Sequence, residues 1–283
     1  MRTDDMNIQV ARRRVRTAAA VAGLGLNTVC DAAMCPNRGE CFARGTATFL
    51  LLGDRCTRSC EFCGVRHGEA PAPLASDEPL RVATAVQRME IRHVVLTCVT
   101  RDDLDDGGAS HFVETVAAIR NVAADAGVPV PTVEVLPSDF GGNAAAVEQL
   151  AMVVPDVYAY NTETVPRLYA TVRDRRTSYQ TTLDVFRTVQ RIAPTIPLKT
   201  GMMLGLGETV AELLDCWSEL LEYGVTRLTL GQYLRPGRQQ MSVVRYYSPQ
   251  EFDELAALAR SLGFRHVLAG RLVRSSYHAE EML

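Results

Sequence analysis

Six of the eight cysteines in this 283-residue chain fall between residues 30 and 63. They form two triplets, Cys30-x4-Cys35-x5-Cys41 and Cys56-x3-Cys60-x2-Cys63. Structural zinc sites draw four ligands, typically from paired C-x2-C elements, and neither triplet is built that way. A redox C-x-x-C reading covers Cys60 and Cys63 but leaves the other cysteines idle. Unrelated buried thiols are not expected to cluster, because cysteine is scarce. Thiolates are soft ligands suited to iron–sulfur clusters, which normally take four cysteines. Three cysteines leave one iron open, and an open position keeps a metal chemically available. The remaining two read as packing residues: Cys216 beside Trp217 in a helical pattern, and Cys98 at the end of a strand pattern. No histidine pair stands at metal-ligand spacing.

The elements that must carry these residues alternate. Apolar runs at 46–53, 93–99, 132–136, 156–160, 197–205 and 227–233 read as strands. Between them lie helical patterns such as HFVETVAAIRNVAADAG and TVAELLDCWSELLEYG, each ending on a glycine suited to a helix C-cap. Strands alternating with helices of this length predict βαβ units and a parallel sheet. Polar residues gather just after the strands, as at Asp54, Arg101, Ser138, Asn161 and Glu208. In an open doubly wound sheet and in a barrel alike, those strand ends form the working face. The pattern alone leaves both architectures standing.

Net charge is −3 and charged residues make up 22%, so the balance calls for neither nucleic acid nor a membrane surface. No window has the apolar length of a bilayer span, and the N-terminus lacks a secretory layout, so the expected location is cytoplasmic. Cysteines there are expected as reduced thiols or metal ligands. Arg12, Arg13, Arg14 and Arg16 read as a solvated helix face or as a docking surface for an acidic partner. Lys199 is the only lysine.

C-x3-C-x2-C after the first strand resembles the signature of radical S-adenosylmethionine enzymes. In that family the open iron is chelated by the cofactor, whose reductive cleavage gives a 5′-deoxyadenosyl radical; the chemistry belongs to the cofactor rather than to side chains. Within it, the upstream triplet, GTATFLLLGDRCTRSCEFC, RDDLDDGGASHF, MLGLGET, LTLGQYL and LVRSSYHA are similar to the lipoyl synthases, over roughly Thr28 to Glu280. The resemblance implies a partial (β/α)6 TIM-like barrel over 46–283, with an N-terminal cluster-binding extension over 1–45 and a C-terminal closing tail. It implies two 4Fe–4S clusters and S-adenosyl-L-methionine. Cys56, Cys60 and Cys63 would hold the radical cluster; Cys30, Cys35, Cys41 and Ser276 would hold an auxiliary one. A serine oxygen among soft ligands is a hard and replaceable contact, whereas Ser275-Ser276 alone would read as turn residues.

The implied reaction inserts sulfur from the auxiliary cluster at C6 and C8 of a protein-bound octanoyl-lysine. The implied partners are an octanoylated lipoyl carrier domain (2-oxoacid dehydrogenase E2 or glycine cleavage H protein), a reductant such as flavodoxin or ferredoxin, and an iron–sulfur carrier for cluster repair. Glu134, Asn161, Glu163 and Glu208 read as contacts to the cofactor or as caps and ordinary carboxylates. Arg101 with Asp102 and Asp103 reads as a positioning group or a local ion-pair cluster. Arg274 is a candidate anchor for the segment that delivers Ser276. The chain departs from the family pattern in three places. Tyr160 stands where a histidine is usual, Arg235–Gln240 replaces a Pro-Ser and His loop, and the N-terminus lacks a basic-aromatic lead. These put substrate docking in question and keep two rivals open: a sulfur-inserting paralogue with another substrate, and a scaffold that holds metal only structurally.

Overall fold

The computed structural model describes Val15, residues 17–44 and residues 48–283. Seven strands pair in parallel: β1 Thr48–Leu51, β4 His93–Cys98, β5 Thr132–Leu136, β6 Val157–Ala159, β7 Leu198–Leu204, β8 Val225–Gln232 and β9 His266–Gly270. Two short strands, β2 Arg55–Cys56 and β3 Arg66–His67, pair apart from them in the loop that carries the second cysteine triplet. The order in the large sheet follows the chain without reversal. A doubly wound sheet would contain a switch point, so the sequential order decides for a barrel. The β1 and β9 edges do not pair with each other, which makes the barrel partial.

Six helices link successive strands: Glu78–Arg88, Ala109–Asp125, Ala144–Met152, Tyr179–Ile192, Val210–Glu222 and Pro249–Leu262. Their ends follow local chemistry. Thr209 with Glu212, and Ser248 with Glu251, form capping boxes at the last two. Gly127 and Gly224, the glycines expected to stop two helices, both adopt positive φ. The strands and the inner helix faces supply the core, with Phe49, Leu96, Phe112, Phe186 and Trp217 almost fully buried. Cys216 packs there at 2% exposure, and burial pushes its thiol up to about 12.

The six expected strands all form; β9 is the addition. Every residue of β9 is half-buried, so it carries neither the alternation nor the solid apolar run that marks a strand in sequence. Segments around Thr28 to Glu40 and Leu272 to Tyr277 meet between β1 and β9. Thr28 bridges Phe49 in antiparallel fashion, and Leu50 N–H donates to Asn27 O at 2.9 Å. Asn37 Nδ2 donates to Leu272 O at 2.6 Å, and Tyr277 OH donates to Glu40 at 3.0 Å. The tail then runs inward, where Ala279 packs against Val95, Leu136 and Ala159. The N-terminal arginines and residues 45–47, where the extension was expected to give way to the barrel, lie outside the described residues.

Candidate functional site

The loop after β1 gathers Cys56, Cys60 and Cys63 beneath the C-terminal strand ends. It is tied to three neighbouring segments. Thr57 N–H donates to Thr100 O at 3.0 Å, Glu61 N–H to Val172 O at 3.0 Å, and Met241 N–H to Glu61 O at 2.9 Å. Arg58, with a side chain 4% exposed, reaches Asp139 through two bonds of 2.7 Å and also grips Asp102. Each of the three sulfurs accepts backbone N–H groups. Cys56 takes Arg58 and Thr100 at 3.4 and 3.3 Å, Cys60 takes Asp174 at 3.3 Å, and Cys63 takes Val65 at 3.5 Å. Such donors stabilise thiolate and tune a cluster's potential. Burial pushes the Cys63 thiol up to about 12, against the Val65 amide, and also raises Cys60. Binding metal would therefore release protons here.

Beside the sulfurs, Glu163 holds φ of 68°, rare for a non-glycine residue. Two main-chain bonds to β7, Glu163 N–H to Gly201 O and Met203 N–H to Glu163 O, both 2.9 Å, hold that conformation. Burial raises its carboxyl, opposed by Arg173 and Asn161. Asn161 Oδ1 and Arg173 Nε are buried without hydrogen-bond partners. Unpaired buried polar atoms are costly, and together with three amide-supported sulfurs they fit a cluster carrying a polar cofactor on its open iron.

The structure does not bring Glu134 to this group. Both Glu134 oxygens accept from Lys199 Nζ at 2.9 Å, with each side chain 0% exposed, at the level of Val95 and Val157. Glu208 is also engaged: it accepts from Gly205 N–H at 2.6 Å, Leu206 N–H at 2.9 Å and Tyr247 OH at 2.8 Å, and so braces the loop after β7. Arg101 pairs locally, bidentate to Asp103 at 2.8 Å and through Nη1 to Leu52 O. Asp102 serves Arg58 and Thr57 instead. Two departures from the family pattern sit in supporting positions. Tyr160 is buried, with its hydroxyl between Asp139 and Arg173 Nη2. In the 235–240 loop, Gln240 Nε2 donates to Cys63 O at 3.2 Å. Cys98, pushed up to about 12 by burial, lies at the end of β4 opposite Leu51.

The first triplet lies on the open side of the barrel. Cys35 N–H donates to Cys30 O at 3.2 Å, which folds that segment into a tight turn. Burial raises the Cys30 thiol, the Thr48 amide opposes it, and the nearby Cys35 raises it further. Cys41 and Ser276 line one small cavity with Thr48, His93 and His278. Thr48 Oγ1 donates to Ser276 Oγ at 2.9 Å. Ser275 faces elsewhere: its Cβ lies 3.2 Å from where a side chain on Gly201 of β7 would begin. Arg274 bonds its own neighbour, Nη1 to Val273 O at 2.6 Å, and the nearby Cys35 offsets part of what burial does to its charge. Sequence reasoning did not pick out Arg173, Asp174, Thr48 or, as an individual residue, Arg58. Arg58 and Thr48 stood inside quoted motifs, whereas the VRDRRTS segment holding Arg173 carried no periodic or spacing signal.

A parallel partial barrel with three convergent sulfurs at its C-terminal face defines the class. The family model of the radical SAM superfamily matches residues 50–220, and the chain belongs to that superfamily. Within it, the chain belongs to the lipoyl synthase family. It is 51% identical to the lipoyl synthase of Rhodopirellula baltica, over 91% of this chain and 80% of that one. It is 46% identical to the lipoyl synthase of Caldanaerobacter subterraneus subsp. tengcongensis, over 94% and 90%. Among solved structures, methylornithine synthase matches with a TM-score of 0.53 at 14% identity, covering 81% of this chain and 72% of that one, a likeness of fold alone.

Proposed function

We propose that the chain is a lipoyl synthase, inserting two sulfur atoms into an octanoyl chain carried on a lysine of a lipoyl carrier domain. The bound groups supply the hydrogen abstraction at C6 and C8 and the sulfur itself. The protein's own residues hold and shield them. Cys56, Cys60 and Cys63 would ligate the cluster that binds S-adenosyl-L-methionine, with Asn161, Glu163 and Arg173 facing the cofactor. Cys30, Cys35, Cys41 and Ser276 would ligate the second cluster, on an extension spanning residues 1–45. The observation that carries the reading is the cavity shared by Cys41 and Ser276, residues from opposite ends of the chain. Lys199 is buried against Glu134, so the acylated lysine belongs to the partner, a 2-oxoacid dehydrogenase E2 or an H protein. A flavodoxin or ferredoxin would reduce the first cluster, and an iron–sulfur carrier would rebuild the second. Among the described residues no helix is long and apolar enough to cross a membrane, which suits work beside such carriers in the cytoplasm.

The test incubates reconstituted protein with an octanoyl-lysyl peptide, reductant and S-adenosylmethionine, and follows product mass and 5′-deoxyadenosine. Ser276→Ala is expected to keep 5′-deoxyadenosine formation while lipoyl product falls at least tenfold. Unchanged lipoyl formation would remove Ser276 from its role. Deoxyadenosine without any sulfur-containing peptide from the parent protein would favour the paralogue, and neither product would favour a scaffold.

A further inference from the structure

Thr48 opens β1 and is 8% exposed, with its backbone in register with Val95 of β4. Its hydroxyl donates to Ser276 Oγ at 2.9 Å, and both residues line the cavity that holds Cys41. The first residue of β1 thus places a donor on a group delivered by the C-terminal tail, beside a cysteine from the N-terminal segment. We infer that Thr48 is a positioning residue for the second cluster, its hydroxyl steadying the Ser276 oxygen as an iron ligand. This rests on the reading of Ser276 as a ligand.

A serine oxygen on iron carries negative charge that water would otherwise solvate. In a small cavity a neighbouring donor takes over part of water's role. Of the arginine, histidine and glutamate side chains around the cavity, none bonds Ser276 Oγ, and His93 Nε2 is buried without a hydrogen-bond partner, 3.8 Å from Glu134. Arg44 bonds His278 and Glu280, and His93 Nδ1 bonds Thr132 Oγ1. A β-branched side chain on a strand is stiff at χ1, so the Thr48 hydroxyl is aimed before iron arrives. Ligand partners of this kind hold the ligand's orientation and commonly change metal affinity by an order of magnitude or more. The same contact keeps a hard oxygen, replaceable among soft sulfurs, from leaving before its iron is needed.

The test uses protein in which Cys56, Cys60 and Cys63 are all replaced by Ala, so that iron loads only at the first triplet. Thr48→Val keeps the shape and the strand preference and removes the donor. After anaerobic reconstitution and a chelator challenge, it is expected to lose the serine-held iron about tenfold faster, with the EPR signal of a three-iron cluster growing in step. Thr48→Ser is expected to retain iron like its parent, a rescue that a purely structural role would not give. Thr48→Ala, which cannot overpack the site, must behave as Thr48→Val does. Parent-like iron retention in Thr48→Val and Thr48→Ala, alongside fast loss in Ser276→Ala, overturns the inference. Parent-like retention in Ser276→Ala instead overturns the ligand reading on which it rests.

Discussion

Arg58 shows how single residues serve the cysteine loop. Its guanidinium lies between Cys56 and Cys60 in sequence and is clamped by two carboxylates from separate loops, Asp102 and Asp139. Burial alone would raise the Asp139 carboxyl, but Arg58 outweighs it and holds Asp139 below the usual carboxylate range. A carboxylate depressed in the folded state contributes stability above its unfolded pKa and loses it as pH falls through the folded value. Stability is therefore expected to drop as pH falls below about 4. Arg58→Met, which leaves buried charge unpaired, is expected to cost about 3–5 kcal/mol at neutral pH and to flatten that acid limb. Urea unfolding at several pH values measures both. At this scale the sequence was uneven. Cysteine spacing singled out the candidate sulfur donors, but Glu134 and Glu208 looked as available as Glu163, because a sequence does not show which carboxylates already have partners.

Elements decide what reaches the barrel's open side. At Gly231 on β8 an added Cβ would fall 2.1 Å from Val273 O and 3.2 Å from Arg274 Nη1. Only glycine lets the tail pass so close to the strand. Under the proposed two-cluster arrangement, Gly231→Ala is expected to displace the tail, so that reconstituted protein loses the iron of one cluster while 5′-deoxyadenosine formation persists. Iron content read beside deoxyadenosine yield checks this; full iron at both clusters would contradict it. Six of the seven barrel strands were legible from apolar runs, and two helix ends from glycine. β9 was not, since an edge strand that is half-buried at every residue leaves little pattern.

Across the whole molecule, the barrel interior holds an ion pair fully removed from solvent, Lys199 with Glu134. His93 Nε2 lies 3.8 Å from the same carboxylate. Removing one partner strands a buried charge, so Lys199→Ala is expected to destabilise the fold by about 3–5 kcal/mol. The paired change Lys199→Met with Glu134→Leu is expected to recover most of that loss, because both desolvation costs vanish together. A double-mutant cycle in urea gives the comparison, and additive single effects would argue against the pairing.

The sequence by itself determined the chassis and the spacing of the candidate donors. Short loops fix the spacing of Cys56, Cys60 and Cys63, and repeating apolar periods fix parallel βα units. Tertiary structure alone decided that Thr48 bonds Ser276 in a cavity shared with Cys41, that Glu134 is spent on Lys199, and that the segments around Asn37 and Leu272 meet between β1 and β9. The physical reason is range. Covalent geometry carries information over a few residues, whereas contacts between distant segments depend on how complete elements pack and on which polar groups that packing leaves to be satisfied.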